Sequence, residues 1–154
     1  MLTEIKLRPI GEDDHGFVYV NWIGTVKGSI RTDPDAVSWN PATQATLDSL
    51  RNTAFYDPRA ERVLDAFYRD HEHRFIEHQL TLPEHWTIAC DPEDESILFG
   101  FGCGTLDAFH MLFVKPQFRR YGVASAMYEK LTKGQRPASF TRRSERGNAF
   151  LASI

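Results

Sequence analysis

Hydrophobic and polar residues recur with two periods along the chain, and these periods separate helices from strands. Residues 5–10 alternate with a period of two and include a proline, which predicts a short strand near a sheet edge. Residues 15–26 are crowded with apolar side chains and follow Asp13 and Asp14, which favour a helix start. The polar region at 28–53 then predicts a loop and a short helix.

The middle of the chain predicts a long helix and then a set of strands. Asp57 and Pro58 form a typical helix start, and apolar side chains recur at three- and four-residue steps to about residue 80. After Pro83 the pattern changes to short apolar segments that are separated by turns. This pattern predicts three consecutive antiparallel strands, at residues 86–90, 97–101 and 109–114.

A further helix and a last strand are predicted toward the C-terminus. The helix begins near Arg120 or Tyr121, carries an apolar face and ends at Gly134. Residues 138–141 predict a last strand, and residues 148–151 predict the start of another helix. The expected fold class is mixed α/β of the α+β type, with a central, mostly antiparallel sheet flanked by helices.

Length and composition narrow the function classes. With 154 residues, 42% hydrophobic and 25% charged, the chain fits one soluble domain over residues 1–154, and its apolar runs are too short for a membrane span. A formal net charge of −3 argues against nucleic-acid binding that depends on the electrostatic field of the whole protein. The N-terminus lacks the pattern of an export signal, so a cytoplasmic location is expected.

No metal site is expected. Neither Cys90 nor Cys103 lies at a metal-ligand spacing from a second ligand. The polar run at residues 70–73 contains two histidines, but no histidine pair there has the four-residue spacing of helical zinc ligands. The run is better explained as the polar rim of an amphipathic helix.

The segment from Val114 to Ala124, between the third of these strands and the next helix, carries the candidate chemistry. A strand that passes through a short loop into a helix exposes unpaired backbone N–H groups, and the helix dipole adds partial positive charge. Gly122 allows an anion to approach the backbone closely. The cations that can neutralise its charge are Lys115, Arg119 and Arg120. The segment therefore predicts a phosphate cradle.

This segment resembles the coenzyme A signature of the Gcn5-related N-acetyltransferase (GNAT) family, Gln/Arg-x-x-Gly-x-Gly/Ala. Arg119, Gly122 and Ala124 fill its fixed positions, and residues 113–116 resemble the end of the family's fourth strand. The order of the predicted strands and helices also agrees with the family. The resemblance implies the GNAT acyl-CoA N-acyltransferase fold, shortened at the C-terminus and without the last strands.

The resemblance also implies where acetyl-CoA, the cosubstrate, would lie. The pantetheine arm is expected beside strand 109–114, and the pyrophosphate on the backbone amides that follow it. A backbone N–H near Phe113 or Val114 is expected to polarise the thioester carbonyl. The coenzyme-binding residues implied in this way are Phe113, Val114, Arg119, Arg120, Tyr121, Gly122, Val123 and Ala124.

Direct transfer of an acetyl group to an amine benefits from a general base and a general acid. His110 lies on the strand that should border the site and is the candidate base; the alternative is an ordinary strand histidine, and Asp107 is a weaker candidate. The family often takes its acid from a tyrosine beyond the position that Asn148 matches, and this chain ends before such a tyrosine. The acid stays unassigned, with Tyr121 and Tyr128 as substitutes.

Two functions follow from the resemblance. The first is an acetyl-CoA-dependent N-acetyltransferase that transfers the acetyl group directly to a primary amine of a small molecule or a protein. The alternative is a catalytically inactive GNAT-like interaction protein, similar to the host modulators that phages carry, which retains or has lost coenzyme binding and holds a protein partner. A homodimer that supplies the missing strands is compatible with both.

Overall fold

The computed structural model describes residues 4–32, 45, 48, 49, 58–141 and 150. Within this part of the chain, five strands form one sheet in the order β1-β2-β3-β4-β5. The strands are β1 (Lys6–Arg8), β2 (Trp86–Cys90), β3 (Leu98–Gly104), β4 (Ala108–Val114) and β5 (Ser139–Phe140). The helices that flank them are α1 (His15–Thr32), α2 (Pro58–Leu80) and α3 (Val123–Thr132). The expected mixed class, with a mostly antiparallel sheet between helices, is confirmed.

The sheet is antiparallel from β1 to β4, and β5 adds to it in parallel with β4. The three consecutive antiparallel strands predicted from the sequence are therefore confirmed. Strand β3 continues to Gly104, beyond its predicted end at residue 101. A Cβ atom on Gly100 would lie 2.1 Å from the carbonyl oxygen of Phe113, so a glycine is needed for β4 to approach β3 this closely.

Two apolar layers cover the two faces of the sheet. On one face, α1 and α2 enclose a cluster that includes Trp22, Ile76, Trp86 and Phe101, all of them buried. On the other face, α3 packs its apolar side against a second cluster that includes Phe99, Val114, Val123 and Met127. None of the helices in the described residues is long and apolar enough to cross a membrane. The sheet is thus held between α3 and the pair α1–α2.

The boundaries of two helices differ from those predicted. Helix α1 continues to Thr32, through Gly28 where a loop is expected, because one glycine inside a helix costs only about 1 kcal/mol. Helix α3 begins at Val123 and not at Arg120 or Tyr121, since Arg120 (φ 69°) and Gly122 (φ 83°) have left-handed backbones that a right-handed helix excludes. Its end is confirmed by the left-handed Gly134 (φ 77°).

Some predicted features fall largely outside the described residues. Of the loop and short helix expected at 28–53, only the helical positions Ala45, Asp48 and Ser49 are described after α1. Of the helix start expected at 148–151, only Phe150 is described, and it is helical. Both features therefore stay predictions.

An ion pair between Arg8 and Asp14 joins β1 to the start of α1. The two guanidinium Nη atoms of Arg8 donate to the two carboxylate oxygens of Asp14, each at 2.8 Å, and the N–H of Gly11 donates to Oδ2 at 2.8 Å. Burial alone would raise the pKa of the Asp14 carboxyl, but these hydrogen bonds outweigh burial and hold the pKa below its ordinary value of 3.8. The charged carboxylate is therefore the form that stabilises the fold.

We expect Asp14→Ala to lower the free energy of unfolding at pH 7 by about 3 kcal/mol, because it leaves Arg8 partly buried without its partner. A carboxyl with a depressed pKa stabilises the folded state above its unfolded pKa, and this contribution is lost as the pH falls through the folded value. Urea unfolding measured from pH 7 downward should show a larger acid-dependent loss of stability below about pH 4 in wild type than in Asp14→Ala. The exposed neighbour serves as control: Asp13→Ala should cost no more than about 0.5 kcal/mol.

Candidate functional site

A short loop links β4 to α3 and contacts both β3 and β4. Its first turn is a 3₁₀ helix at Pro116–Phe118, and the ring of Phe118 packs on that of Phe99 with 4.4 Å between ring centres. Arg119 then bends back, and its Nε donates to the carbonyl oxygen of Val114 at 2.8 Å. The loop is therefore anchored before the chain reaches Arg120.

The backbone from Arg120 to Ser125 forms a concave group of N–H donors. Arg120 and Gly122 are left-handed, and the first helical hydrogen bond is donated only at Ala126, to the carbonyl oxygen of Gly122 at 3.0 Å. Among the residues that the structure describes, no acceptor pairs with the N–H groups from Arg120 to Ser125. We call this group the amide nest. Alternating backbone conformations of this kind, at a helix N-terminus, make a binding site for anions.

The space in front of the amide nest is open. A Cβ atom built on Gly122 would meet no heavy atom within 4 Å. Val123 is 2% exposed and its side chain packs in the core beneath α3, so it contributes its N–H alone. Arg120 is exposed and Tyr121 is 47% exposed. The nest thus combines backbone donors, an accessible guanidinium and an accessible aromatic ring.

The cationic side chains near the loop have different roles. The Arg119 guanidinium is tied to Val114, as described above. The ammonium group of Lys115 lies 5.3 Å from the ring centre of Phe17, on the face of the sheet that α1 covers. Of these three cations, Arg120 is the exposed one.

The edge of β4 leads from the amide nest along the sheet. The N–H of Lys115 donates to the carbonyl oxygen of Phe99 in β3 at 2.8 Å. Because N–H groups alternate in direction along a strand, the N–H of Phe113 also faces β3, whereas those of Val114 and Leu112 face the opposite side. In the described residues, β5 pairs with β4 only at Ala108 and Phe109. The N–H groups of Leu112 and Val114 therefore lie beyond the β4–β5 ladder.

A β-bulge at His110 changes the direction of the side chains in β4. Met111 pairs with Cys103, and Phe109 pairs with Gly104, so His110 is the extra residue. The ring of Phe109 packs on Tyr128 of α3, at 5.2 Å between ring centres. Met111 packs on the opposite face, in the cluster beneath α1 and α2. The side chain of His110 lies on this second face as well.

His110 is held between α2 and the end of β5. Its imidazole contacts Phe75 in a T-shaped arrangement, with 5.0 Å between ring centres. Its Nδ1 atom is hydrogen-bonded to the hydroxyl oxygen of Thr141, the residue after β5. The structure thus places the candidate base at the point where β4 and β5 separate, on the side of the sheet away from α3.

The other acid and base candidates lie elsewhere. Asp107 is exposed in the β3–β4 turn, where its N–H is bonded to the hydroxyl of Thr105 at 3.2 Å and its carbonyl accepts from Ser139. Tyr128 is 7% exposed between Phe109 and the ring of Phe150, and burial raises the pKa of its hydroxyl. Asp107 is therefore a turn residue, and Tyr128 is a core residue.

Polar side chains of the run at residues 70–73, on α2, contact residues of α1. Glu72 is 1% exposed and its Oε2 accepts from the indole nitrogen of Trp22 at 3.0 Å. His73 stacks on Tyr19 of α1 at 5.1 Å between ring centres. In the part of the chain that the structure describes, no three His, Cys, Asp or Glu side chains come together in a way that could hold a metal ion.

The sequence pattern does not identify Phe75 and Thr141 as neighbours of His110. Their places depend on two long-range features, the packing of α2 on the sheet and the parallel pairing of β5 with β4. The sequence does not reveal the bulge either. Residues 108–114 form a nearly continuous apolar run, so a change in which residues face each side of the sheet does not alter the sequence pattern. The single polar residue of the strand, His110, was the available signal.

No protein-family model matches the chain, and no curated protein matches its sequence. Two solved structures are similar to it in fold. One is described as a GCN5-related N-acetyltransferase, aminotransferase class II, from Rhodopseudomonas palustris: it is 16% identical, with a TM-score of 0.43, over 85% of this chain and 65% of that one. The chain therefore spans a little less than two thirds of that protein's length.

The other is the PaiA N-acetyltransferase from Thermoplasma acidophilum, solved in complex with coenzyme A. It is 12% identical to this chain, with a TM-score of 0.41, over 83% of this chain and 69% of the other. Both of these proteins are described as N-acetyltransferases.

Proposed function

We propose that the protein is an N-acetyltransferase that uses acetyl-CoA to acetylate a primary amine of a small molecule or a protein. The observation that carries the proposal is the amide nest, with its left-handed Arg120 and Gly122 and its open front. A left-handed non-glycine residue is costly and persists where the surrounding structure requires it. A row of N–H donors at the start of α3 suits the pyrophosphate of a coenzyme.

The remaining coenzyme-binding residues fit the same orientation. Arg120 is the accessible cation beside the nest, and Tyr121 offers an exposed ring next to it. From the nest, an extended arm would follow the edge of β4 back toward His110. Four residues of strand cover roughly 13 Å between Val114 and His110. The N–H of Val114 and that of Leu112 both face this path, and a donor there polarises a carbonyl group beside it.

The acceptor amine would approach on the face of the sheet that carries His110. In the proposed reaction the Nε2 atom of His110 takes the proton of the amine, whose nitrogen forms a bond to the acetyl carbon. The bond between that carbon and the coenzyme sulfur breaks, and the thiolate leaves and takes a proton from solvent. No covalent bond to the protein forms, so no nucleophilic side chain is required.

The proposal is tested by incubating the purified protein with acetyl-CoA and a panel of primary amines, including lysine-containing peptides. Free thiol and acetylated amine should appear in equal amounts, measured with a thiol reagent and by mass spectrometry. Protein-dependent thiol release without acetylated amine would indicate hydrolysis and contradict the proposed transfer. Neither product from any amine, together with tight coenzyme binding, would favour the alternative of an inactive interaction protein.

A further inference from the structure

Thr141 makes two contacts at the point where β4 and β5 separate. Its N–H donates to the carbonyl oxygen of Phe109 at 3.0 Å, which extends the β4–β5 ladder by one hydrogen bond beyond Phe140. Its hydroxyl oxygen is hydrogen-bonded to Nδ1 of His110, the bulged residue that follows Phe109. The backbone bond fixes the position of Thr141, so the hydroxyl is held at a defined place beside the imidazole.

We propose that Thr141 is a positioning residue that holds His110 with its proton on Nδ1 and its lone pair on Nε2. A neutral imidazole has one donor and one acceptor nitrogen, and the partner of one nitrogen determines the role of the other. When Nδ1–H donates to the Thr141 oxygen, Nε2 is the atom that can accept a proton. The inference rests on the proposed function, in which His110 is the base.

The surroundings of His110 restrict its orientation further. The T-shaped contact with Phe75 packs one side of the imidazole against α2, and the bond to Thr141 fixes the direction of Nδ1. In a regular strand His110 would share the face of Leu112 and Val114, which pack in the cluster beneath α3; the bulge brings it to the face that α1 and α2 cover. Among the described residues, contacts from α2 and from the end of β5 therefore restrict where Nε2 lies.

The opposite hydrogen-bond direction gives the opposite result. If the Thr141 hydroxyl donated to Nδ1, the proton of the neutral ring would be on Nε2, and that atom could not act as a base. The two arrangements have the same heavy-atom positions and differ in the tautomer alone. The inference therefore predicts a tautomer, which can be measured without any substrate.

The direct test is ¹⁵N NMR of the histidine side chains in the free protein, above the pH at which His110 titrates. His110→Gln identifies the His110 signals. Wild type and Thr141→Ser, which keeps the hydroxyl, should show the Nδ1–H tautomer, whereas Thr141→Val should show the other tautomer or a mixture. An Nε2–H tautomer in wild type, or the same tautomer in Thr141→Val, would overturn the inference. Thr141→Ala replaces Thr141→Val if the latter loses its dispersed amide spectrum.

A kinetic test separates this inference from the proposed function. Thr141→Val should lower kcat about tenfold to a hundredfold, within the range that a positioned base contributes, and leave the KM for acetyl-CoA unchanged. Thr141→Ser should restore most of kcat. An equal loss in both variants would indicate a structural role and contradict positioning. If wild type shows no turnover, the proposed function fails. The tautomer measured by NMR still tests whether Thr141 keeps the proton of His110 on Nδ1.

Discussion

Gly122→Glu is expected to abolish the binding of coenzyme A. The backbone at this position is left-handed (φ 83°), and a side chain there would project into the open space in front of the amide nest. The carboxylate would add a negative charge where the pyrophosphate is expected, and two unit charges 4 Å apart repel by about 4 kcal/mol at an intermediate dielectric constant. Even after screening, calorimetry should register at least about a hundredfold loss of affinity, or roughly 2.7 kcal/mol.

Gly134→Glu is the matched control for this variant. Gly134 follows the other end of α3, has a similar left-handed backbone (φ 77°) and also has no heavy atom within 4 Å of a built Cβ. Both substitutions should therefore cost a similar amount of stability, about 1–2 kcal/mol. Gly134→Glu should bind coenzyme A as wild type does. An equal loss of affinity in both variants, or wild-type affinity in Gly122→Glu, would show that the amide nest is not the coenzyme site.

His110→Gln is expected to lower kcat by a factor of about 10² to 10⁴ while the affinity for coenzyme A stays the same. Glutamine keeps a polar group of similar size but cannot take a proton at neutral pH. The contact with Phe75 lies on the opposite side of the sheet from α3, so the amide nest should be unaffected. Steady-state kinetics over a pH series, with calorimetry for coenzyme affinity, separates the two effects.

A second histidine controls for a general effect of removing an imidazole. His78 is exposed in the last turn of α2, and His78→Gln should leave kcat as in wild type. An unchanged kcat and an unchanged pH profile in His110→Gln would mean that His110 is an ordinary strand histidine. The base would then have to come from another group.

The sequence predicts most of the sheet because its signals are local. These signals are the apolar runs of β2 and β4 and the turn after β2, which depend on neighbours along the chain. The strands were placed within a few residues. The signature residues Arg119, Gly122 and Ala124 also lie close together in one segment, which is why a phosphate cradle can be proposed from the sequence; phosphate binding there stays a prediction. The start of helix α3 was placed too early because the left-handed conformation of Arg120 has no signal in a residue that usually favours helices.

The immediate surroundings of His110 could not be predicted in this way. The bulge depends on a register change between Cys103 and Gly104, and Thr141 reaches His110 through a parallel strand pair formed across 31 positions of the chain. Phe75, which contacts the imidazole of His110, belongs to a third element, α2. None of these contacts follows from a periodic pattern, because each is set by how separate elements pack together.

The measurement that tests the central claim most directly is calorimetric titration of the purified protein with acetyl-CoA, beside desulfo-CoA as a non-reactive analogue. Both should bind with a micromolar dissociation constant, near −8 kcal/mol, because both carry the pyrophosphate that the amide nest is expected to hold. The absence of heat with either compound, from protein that unfolds cooperatively, would contradict the account. The chain would then be a GNAT-like scaffold without a coenzyme site.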